Sequence, residues 1–244
     1  MDAEYQDKEK DFLKQGLAAA WPICMGYMPI GMALGVLAQK AGLSVFEMAL
    51  MSVIVFAGSA QFICVSMLVS GAASIPIIIT TFVVNLRHVL LSSSLAKHLD
   101  SMSLKGLALY AYGVTDESFG VNYTRFIEGG WTPKKALVVN HASNLCWILC
   151  TIAGAWFGEL IPQGAFGIDY ALIAMFIGLL IFQIRGLIYV ASAVIAGLAA
   201  SVMHLYTEGN MYVIVGAMTG ATVCLALRRT AFFKKFEKAR EEKT

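Results

Sequence analysis

Long stretches of this chain carry no charge, and their positions predict its elements. Residues 15–39 contain no Asp, Glu, Lys or Arg, and neither do 48–86, 136–158, 186–207 and 209–227. A membrane-crossing helix needs about 20 apolar residues at about 1.5 Å rise each. The 48–86 stretch is long enough for two crossings, with a turn at Ser70-Gly71-Ala72-Ala73-Ser74 before Pro76. Residues 170–184 form a shorter run that Arg185 separates from the next, and 105–126 is the weakest candidate because it holds Thr115-Asp116-Glu117. The pattern predicts eight helices, near 15–38, 46–70, 75–95, 105–124, 136–158, 168–183, 187–205 and 210–228. The expected class is an all-α polytopic integral membrane protein, with some spans broken by proline or glycine.

Composition supports that pattern. Of 244 residues, 58% are hydrophobic and 14% charged, whereas soluble domains run at about 25% charged. A disordered chain, a disulfide-stapled mini-protein and an ordinary soluble enzyme are excluded. Cys24, Cys64, Cys146, Cys150 and Cys224 all lie in apolar stretches and read as small buried hydrophobes. The first span is no cleavable signal peptide, because an acidic tail precedes it, it runs too long and more spans follow.

The charges that remain sit mostly at the ends. Residues 1–14 hold three Lys and five acids, and 228–244 hold seven Lys/Arg and three acids. Eight of each sign are left for the 213 residues between. The net charge of +2 is therefore set by the tails, and no basic, aromatic-interleaved patch calls for nucleic acid. Positive residues favour the cytoplasmic side. The expected layout is a cytoplasmic N-terminal tail (1–14), a transmembrane domain (15–228) and a basic cytoplasmic C-terminal tail (229–244), the last also able to bind anionic membrane lipid. Loop 125–135, with Arg125, Lys134 and Lys135, falls inside; Lys97 and Lys105 fall outside, against the rule. A re-entrant 105–124 would move that loop inside and the N-terminus outside. No internal repeat is convincing: Asn85 and Asn144 each precede a leucine, and two residues are not a repeat. A diverged inverted repeat is left open.

Several polar or helix-breaking residues stand where a membrane helix gives them no water. Pro22 and Pro29, with Gly26 and Gly31, should break the first span. Broken backbone at membrane depth is tolerated when buried or lining a cavity, and half-helix N-termini bind carboxylates. The alternative is a kinked helix packing through Gly31-x-x-x-Gly35. Phe56-Ala57-Gly58-Ser59-Ala60-Gln61-Phe62 interrupts the second span, with Gly58 and Ser59 permitting close approach and Gln61 either orienting a ligand or bonding across a helix crossing. In Asn85-Leu86-Arg87-His88, an intramembrane arginine faces a cavity, a substrate carboxylate or a partner such as Asp116 or Glu117; snorkelling to the interface is the alternative. Asp116 and Glu117 are the acids of a candidate ammonium or proton site, or else an interfacial turn. Asn140, His141 and Asn144 read chiefly as interhelical glue. No metal-ligand spacing, nucleophile motif or phosphate loop is present, so neither metal, cofactor nor enzymatic chemistry is expected.

These marks together resemble the AzlC family, the large subunit of bacterial branched-chain amino-acid exporters. The matching residues are Pro22-x3-Gly26-x2-Pro29-x-Gly31, Phe56-Ala57-Gly58-Ser59-Ala60-Gln61-Phe62, Asn85-Leu86-Arg87-His88 and Thr115-Asp116-Glu117. The likeness covers most of 12–228 and is specific in 20–125. One departure is Ile30, where a phenylalanine is expected after the second proline. The resemblance implies a cell-membrane secondary transporter that expels valine, leucine, isoleucine and sometimes methionine. It also implies a small partner of about four helices, the AzlD-type subunit. On this reading the substrate carboxylate meets Arg87 or broken ends near Gly26, Pro29, Gly31, Gly58 and Ser59. The ammonium meets Asp116 or Glu117, while Gln61, Asn85 and Asn144 orient the polar end. The coupling proton is carried by His88, Asp116 or Glu117. An importer on the same scaffold is the alternative; a channel or structural subunit is a more distant one, which would lack the saturation and counterflow of a carrier.

Overall fold

The computed structural model describes residues 2–160, 170, 173–174, 177–178, 180–181, 184, 186–206 and 211–229. Among them every regular element is helical. The first is α1 (Asp2–Lys40), whose opening turns extend the first span back through the acidic tail. The second predicted span is two half-helices, α2 (Val45–Ile54) and α3 (Gly58–Val69), parted by residues 55–57. A straight α4 (Ser74–Leu95) follows, with a 3-10 turn over Ala96–His98. The fourth span is also broken, into α5 (Leu104–Tyr112) and α6 (Asp116–Glu128). Then come α7 (Pro133–Phe157), α8 (Leu187–Tyr206) and α9 (Met211–Arg229). The predicted helix 168–183 falls largely outside the described residues, as do 230–244.

The described chain forms two compact units, one from 1–71 and 84–172, the other from 72–83 and 173–244. In the second, α8 and α9 pack as an antiparallel pair: a Cβ on Gly216 would meet Ala200, and one on Gly220 would meet Ala196. Small residues bring these backbones together, as apolar packing in lipid requires.

In the first unit, α1 does not break at its prolines, contrary to the sequence expectation. It stays helical through Pro22 and Pro29. Each proline removes one backbone donor, but α1 is braced along its length by α7. Cβ atoms built on Gly16, Gly31 and Gly35 would meet Val138, Cys150 and the Thr151–Ala155 backbone respectively. One built on Gly154 would run into the Met32 carbonyl. Contact at backbone distance along this seam holds the proline turns in register. Gly31-x-x-x-Gly35 is thus the packing face, while a Cβ on Gly26 would meet nothing.

The contacts also fix direction. Gly16, Gly31, Gly35 and Gln39 face residues 135–138, 150–151, 151–155 and 158 in rising order, so α1 and α7 run parallel. Spans 45–69, 74–95 and 104–128 lie between them. If 105–124 alone turned back within the membrane, α7 would run opposite to α1, so the parallel pairing favours a full crossing. Ser52 bonds Thr151 while Gln61 bonds Trp147. Gly113 faces Asn140 while Asn122 bonds the Ala136 carbonyl. Both broken spans therefore descend along α7 in the same sense.

The backbone also shows a correspondence that two residues alone did not carry. A shift of 59 residues takes 45–69 onto 104–128 and Ser74 onto Pro133, where the straight helices begin. It takes the N-cap Ser44 (φ −70, ψ 160) onto the N-cap Ser103 (φ −68, ψ 160). It takes Gly71 (φ 73) onto Gly130 (φ 71), each in the turn before a straight helix. Ser59 falls on Ser118, and Asn85-Leu86 on Asn144-Leu145.

Two outcomes follow. Cysteines replacing Asp2 and Lys97 are expected to react with impermeant maleimide from opposite membrane faces, because three crossings separate them. Gly154→Ala is expected to cost about 1–3 kcal/mol by overpacking, read as a lower unfolding midpoint in detergent, while Gly26→Ala leaves that midpoint unchanged or higher.

Candidate functional site

Both broken spans place the start of a half-helix inside the first unit, and the two starts differ chemically. The first N–H groups of a helix have no intrahelical partner. At α3 the N-cap is Ala57, which supplies no side-chain cap. Ala57, Ser59 and Ala60 are buried, so the amides of Gly58, Ser59 and Ala60 form a donor cluster with positive helix-end potential. At α6 the N-cap is Thr115, which accepts from the Ser118 N–H at 3.2 Å while the Ser118 hydroxyl accepts from the Thr115 N–H at 2.9 Å. This capping box serves the Thr115 and Ser118 amides internally, and the turn presents Asp116 and Glu117.

Arg87 of α4 bridges the two. Its Nη2 donates to Ser59 Oγ at 2.5 Å and its Nη1 pairs with Asp116 Oδ2 at 2.8 Å. About a third of each side chain of the ion pair is exposed, 31% for Arg87 and 27% for Asp116. The Nε of Arg87 and the Oδ1 of Asn85 are buried without a hydrogen-bond partner. A free donor on a cation and a free acceptor close by in sequence leave the cluster one polar group short on each side. His88 lies within electrostatic reach of Asp116 and Glu117. Glu117 is exposed, and its Oε2 accepts from the Tyr27 hydroxyl at 2.8 Å.

The structure thus brings together Ser59, Arg87, Asp116 and Glu117, with Gly58, Asn85 and His88 beside them in sequence. Gln61 is engaged elsewhere. Its Oε1 accepts from the Trp147 indole at 2.8 Å and its Nε2 donates to Ser52 Oγ at 3.1 Å, which bonds Thr151 at 2.8 Å. This buried network ties α2 and α3 to α7, as the crossing-point alternative described. Asn144 donates to the Tyr112 hydroxyl at 3.5 Å, and Tyr112 donates to the Val53 carbonyl at 2.5 Å. Asn140 donates to the Tyr110 carbonyl at 3.1 Å and accepts from Asn122 at 2.9 Å, acting as interhelical glue. Gly31 packs on α7 and Gly26 faces open space, so neither they nor Pro29 form a half-helix end. Among the described residues no group of three His, Cys or acidic side chains is placed to hold a metal.

Sequence reasoning gave no role to Tyr27 and Trp147. Tyr27 is buried, and its hydroxyl reaches both Thr115 Oγ1 (2.9 Å) and Glu117. Its ring stands edge-on to Trp147 at 5.0 Å and to Phe56 at 6.4 Å. The one available signal was its place between the two prolines.

Comparison with known proteins gives the following. The family model described as AzlC protein matches residues 22–161. The chain is 30% identical over 222 residues to the branched-chain amino acid transport protein AzlC of Bacillus subtilis, covering 89% of this chain and 84% of that one. It is 28% identical over 194 residues to the inner membrane protein YgaZ of Escherichia coli, covering 76% and 79%. It is 30% identical over 210 residues to an uncharacterized membrane protein of Archaeoglobus fulgidus, covering 85% and 91%. No solved structure matches it.

Removing one member of a half-buried pair leaves the other without its partner, while removing both leaves no orphan charge. Arg87→Gln and Asp116→Asn are each expected to lower the unfolding midpoint in detergent. The double variant should lose less than their sum, with a coupling of about 1 kcal/mol in a double-mutant cycle.

Proposed function

The chain belongs to the AzlC family and has a membrane transport role, and from that premise we propose that it exports branched-chain amino acids. The substrates are valine, leucine, isoleucine and methionine, and the energy comes from the proton gradient. The observation that carries this reading is the Arg87 bridge between an uncapped half-helix start and an acidic one. An α-amino acid is a zwitterion, and this site offers an element for each end. The carboxylate takes the Arg87 guanidinium and the Gly58–Ala60 amides. The ammonium takes Asp116, with the Asn85 carbonyl as a further acceptor. The substrate replaces the internal ion pair with two ion pairs of its own. No charge is left unpaired at any stage, which matters where stranding one costs several kcal/mol.

Glu117 is the proton's site in this scheme. It is the exposed acid of the pair, while Asp116 is committed to Arg87. His88 tunes the field around both. The protein sits in the cell membrane with both termini cytoplasmic, 15–228 forming the transport domain between two tails. It works with a small AzlD-type subunit.

The test is efflux from dipeptide-loaded cells that lack their own exporters, with this chain expressed alone and with the small subunit. Export of the four amino acids is expected, abolished by a protonophore. Glu117→Gln is expected to lose gradient-driven export, and Arg87→Gln to lose all export. Wild-type rates in both variants would sink the scheme.

A further inference from the structure

The Tyr27 hydroxyl has one hydrogen and two oxygen neighbours, Thr115 Oγ1 at 2.9 Å and Glu117 Oε2 at 2.8 Å. An ionised carboxylate only accepts. When Glu117 is ionised, Tyr27 must donate to it, and the Thr115 hydroxyl is then free to donate to Tyr27. When Glu117 carries a proton, it can donate to the Tyr27 oxygen, and Tyr27 turns its hydrogen to Thr115. The chain Thr115–Tyr27–Glu117 therefore has two hydrogen-bond directions, each matched to one charge state of Glu117. Thr115 is not a passive end. Its Oγ1 also takes the Ser118 N–H as the N-cap of α6, and the next residue, Asp116, holds Arg87.

From other elements, Tyr27 on α1 bonds Glu117 directly, Arg87 on α4 acts through Asp116, and His88 on α4 lies within electrostatic reach. The element of Glu117 itself adds Thr115 and Asp116. Of these, Tyr27 alone bonds both the carboxylate of Glu117 and the cap of α6. Its ring packs edge-on against Trp147, which also bonds Gln61 of α3, and its hydroxyl hydrogen can rotate between the two oxygens.

We propose that Tyr27 is the positioning residue that couples proton binding at Glu117 to the α6 cap beside Asp116, and so to the Arg87–Asp116 pair that substrate must open. This rests on the exporter reading above. Tyr27 does not need to touch the substrate. Its hydroxyl is needed when a proton is exchanged, not when one substrate molecule replaces another.

The experiment uses proteoliposomes carrying the form active in the efflux assay. Radiolabelled leucine is followed in two modes: accumulation driven by an imposed proton gradient, and counterflow at equal pH against unlabelled leucine. Wild type is expected to show both. Tyr27→Phe keeps the ring and removes the hydroxyl. It should retain counterflow within about twofold while losing driven accumulation by about tenfold, the size of one hydrogen bond to a charged group. Thr115→Val should lose driven accumulation similarly, and Thr115→Ser, which keeps a hydroxyl, should behave as wild type. Full driven accumulation in Tyr27→Phe or Thr115→Val would overturn the proposal. So would a parallel fall of both modes in folded Tyr27→Phe protein, which marks a structural role only. Wild-type counterflow without driven accumulation would instead remove the proton-coupled reading, and this inference with it.

Discussion

A helix that starts inside a membrane leaves backbone N–H groups without intrahelical partners, and the two half-helix starts of this structure answer that constraint differently. The α6 start meets it with its own Thr115 and Ser118 side chains. The α3 start has no such cap, and the Arg87 guanidinium lies against it through Ser59. Two positive features, a helix start and a guanidinium, then need a counter-charge, which Asp116 provides.

The surrounding helices keep those interrupted ends from collapsing or drifting. α7 is the spine: it runs parallel to α1 at glycine contact, grips α3 through Trp147 and Gln61, and holds the α5–α6 break through Asn140. Asn140, Ser143, Asn144, Trp147 and Thr151 on α7 act as fixings with partners in the first unit, while His141 Nε2 is buried without one. On α4, Asn85 and Arg87 keep unmatched buried atoms side by side with the ion pair, where buried polar atoms are normally matched.

Much of this was legible in the chain. Charge-free runs locate most of the described spans. The Phe56–Phe62 segment reads as an interruption because small and polar residues stand where apolar ones belong, while Thr115–Glu117 marks a weak span by its acids without revealing the break between α5 and α6. The prolines misled: Pro22 and Pro29 predict a break by local stereochemistry, but glycine seams at 31, 35 and 154 supply a tertiary brace that local rules do not contain. Gln61 looked like a ligand residue because its partners, Ser52 and Trp147, are 9 and 86 residues away. Tyr27 was passed over for a similar reason, since its partners Thr115 and Glu117 lie 88 and 90 residues on. Periodicity reads neighbours along one helix and is blind to such pairings.

The two copies related by the 59-residue shift differ most where the charges stand. The shift that lays Asn85 on Asn144 lays Arg87 on Cys146, an uncharged thiol whose Sγ contacts the Cys24 carbonyl at 3.6 Å. It lays Gly58 on Glu117 and Ala57 on Asp116. The bare half-helix start with its cation belongs to the first copy, and the acids to the second. Neither copy alone holds both the cation and the acids; the Arg87–Asp116 pair exists only where the two meet. The two halves of this frame are therefore no longer interchangeable.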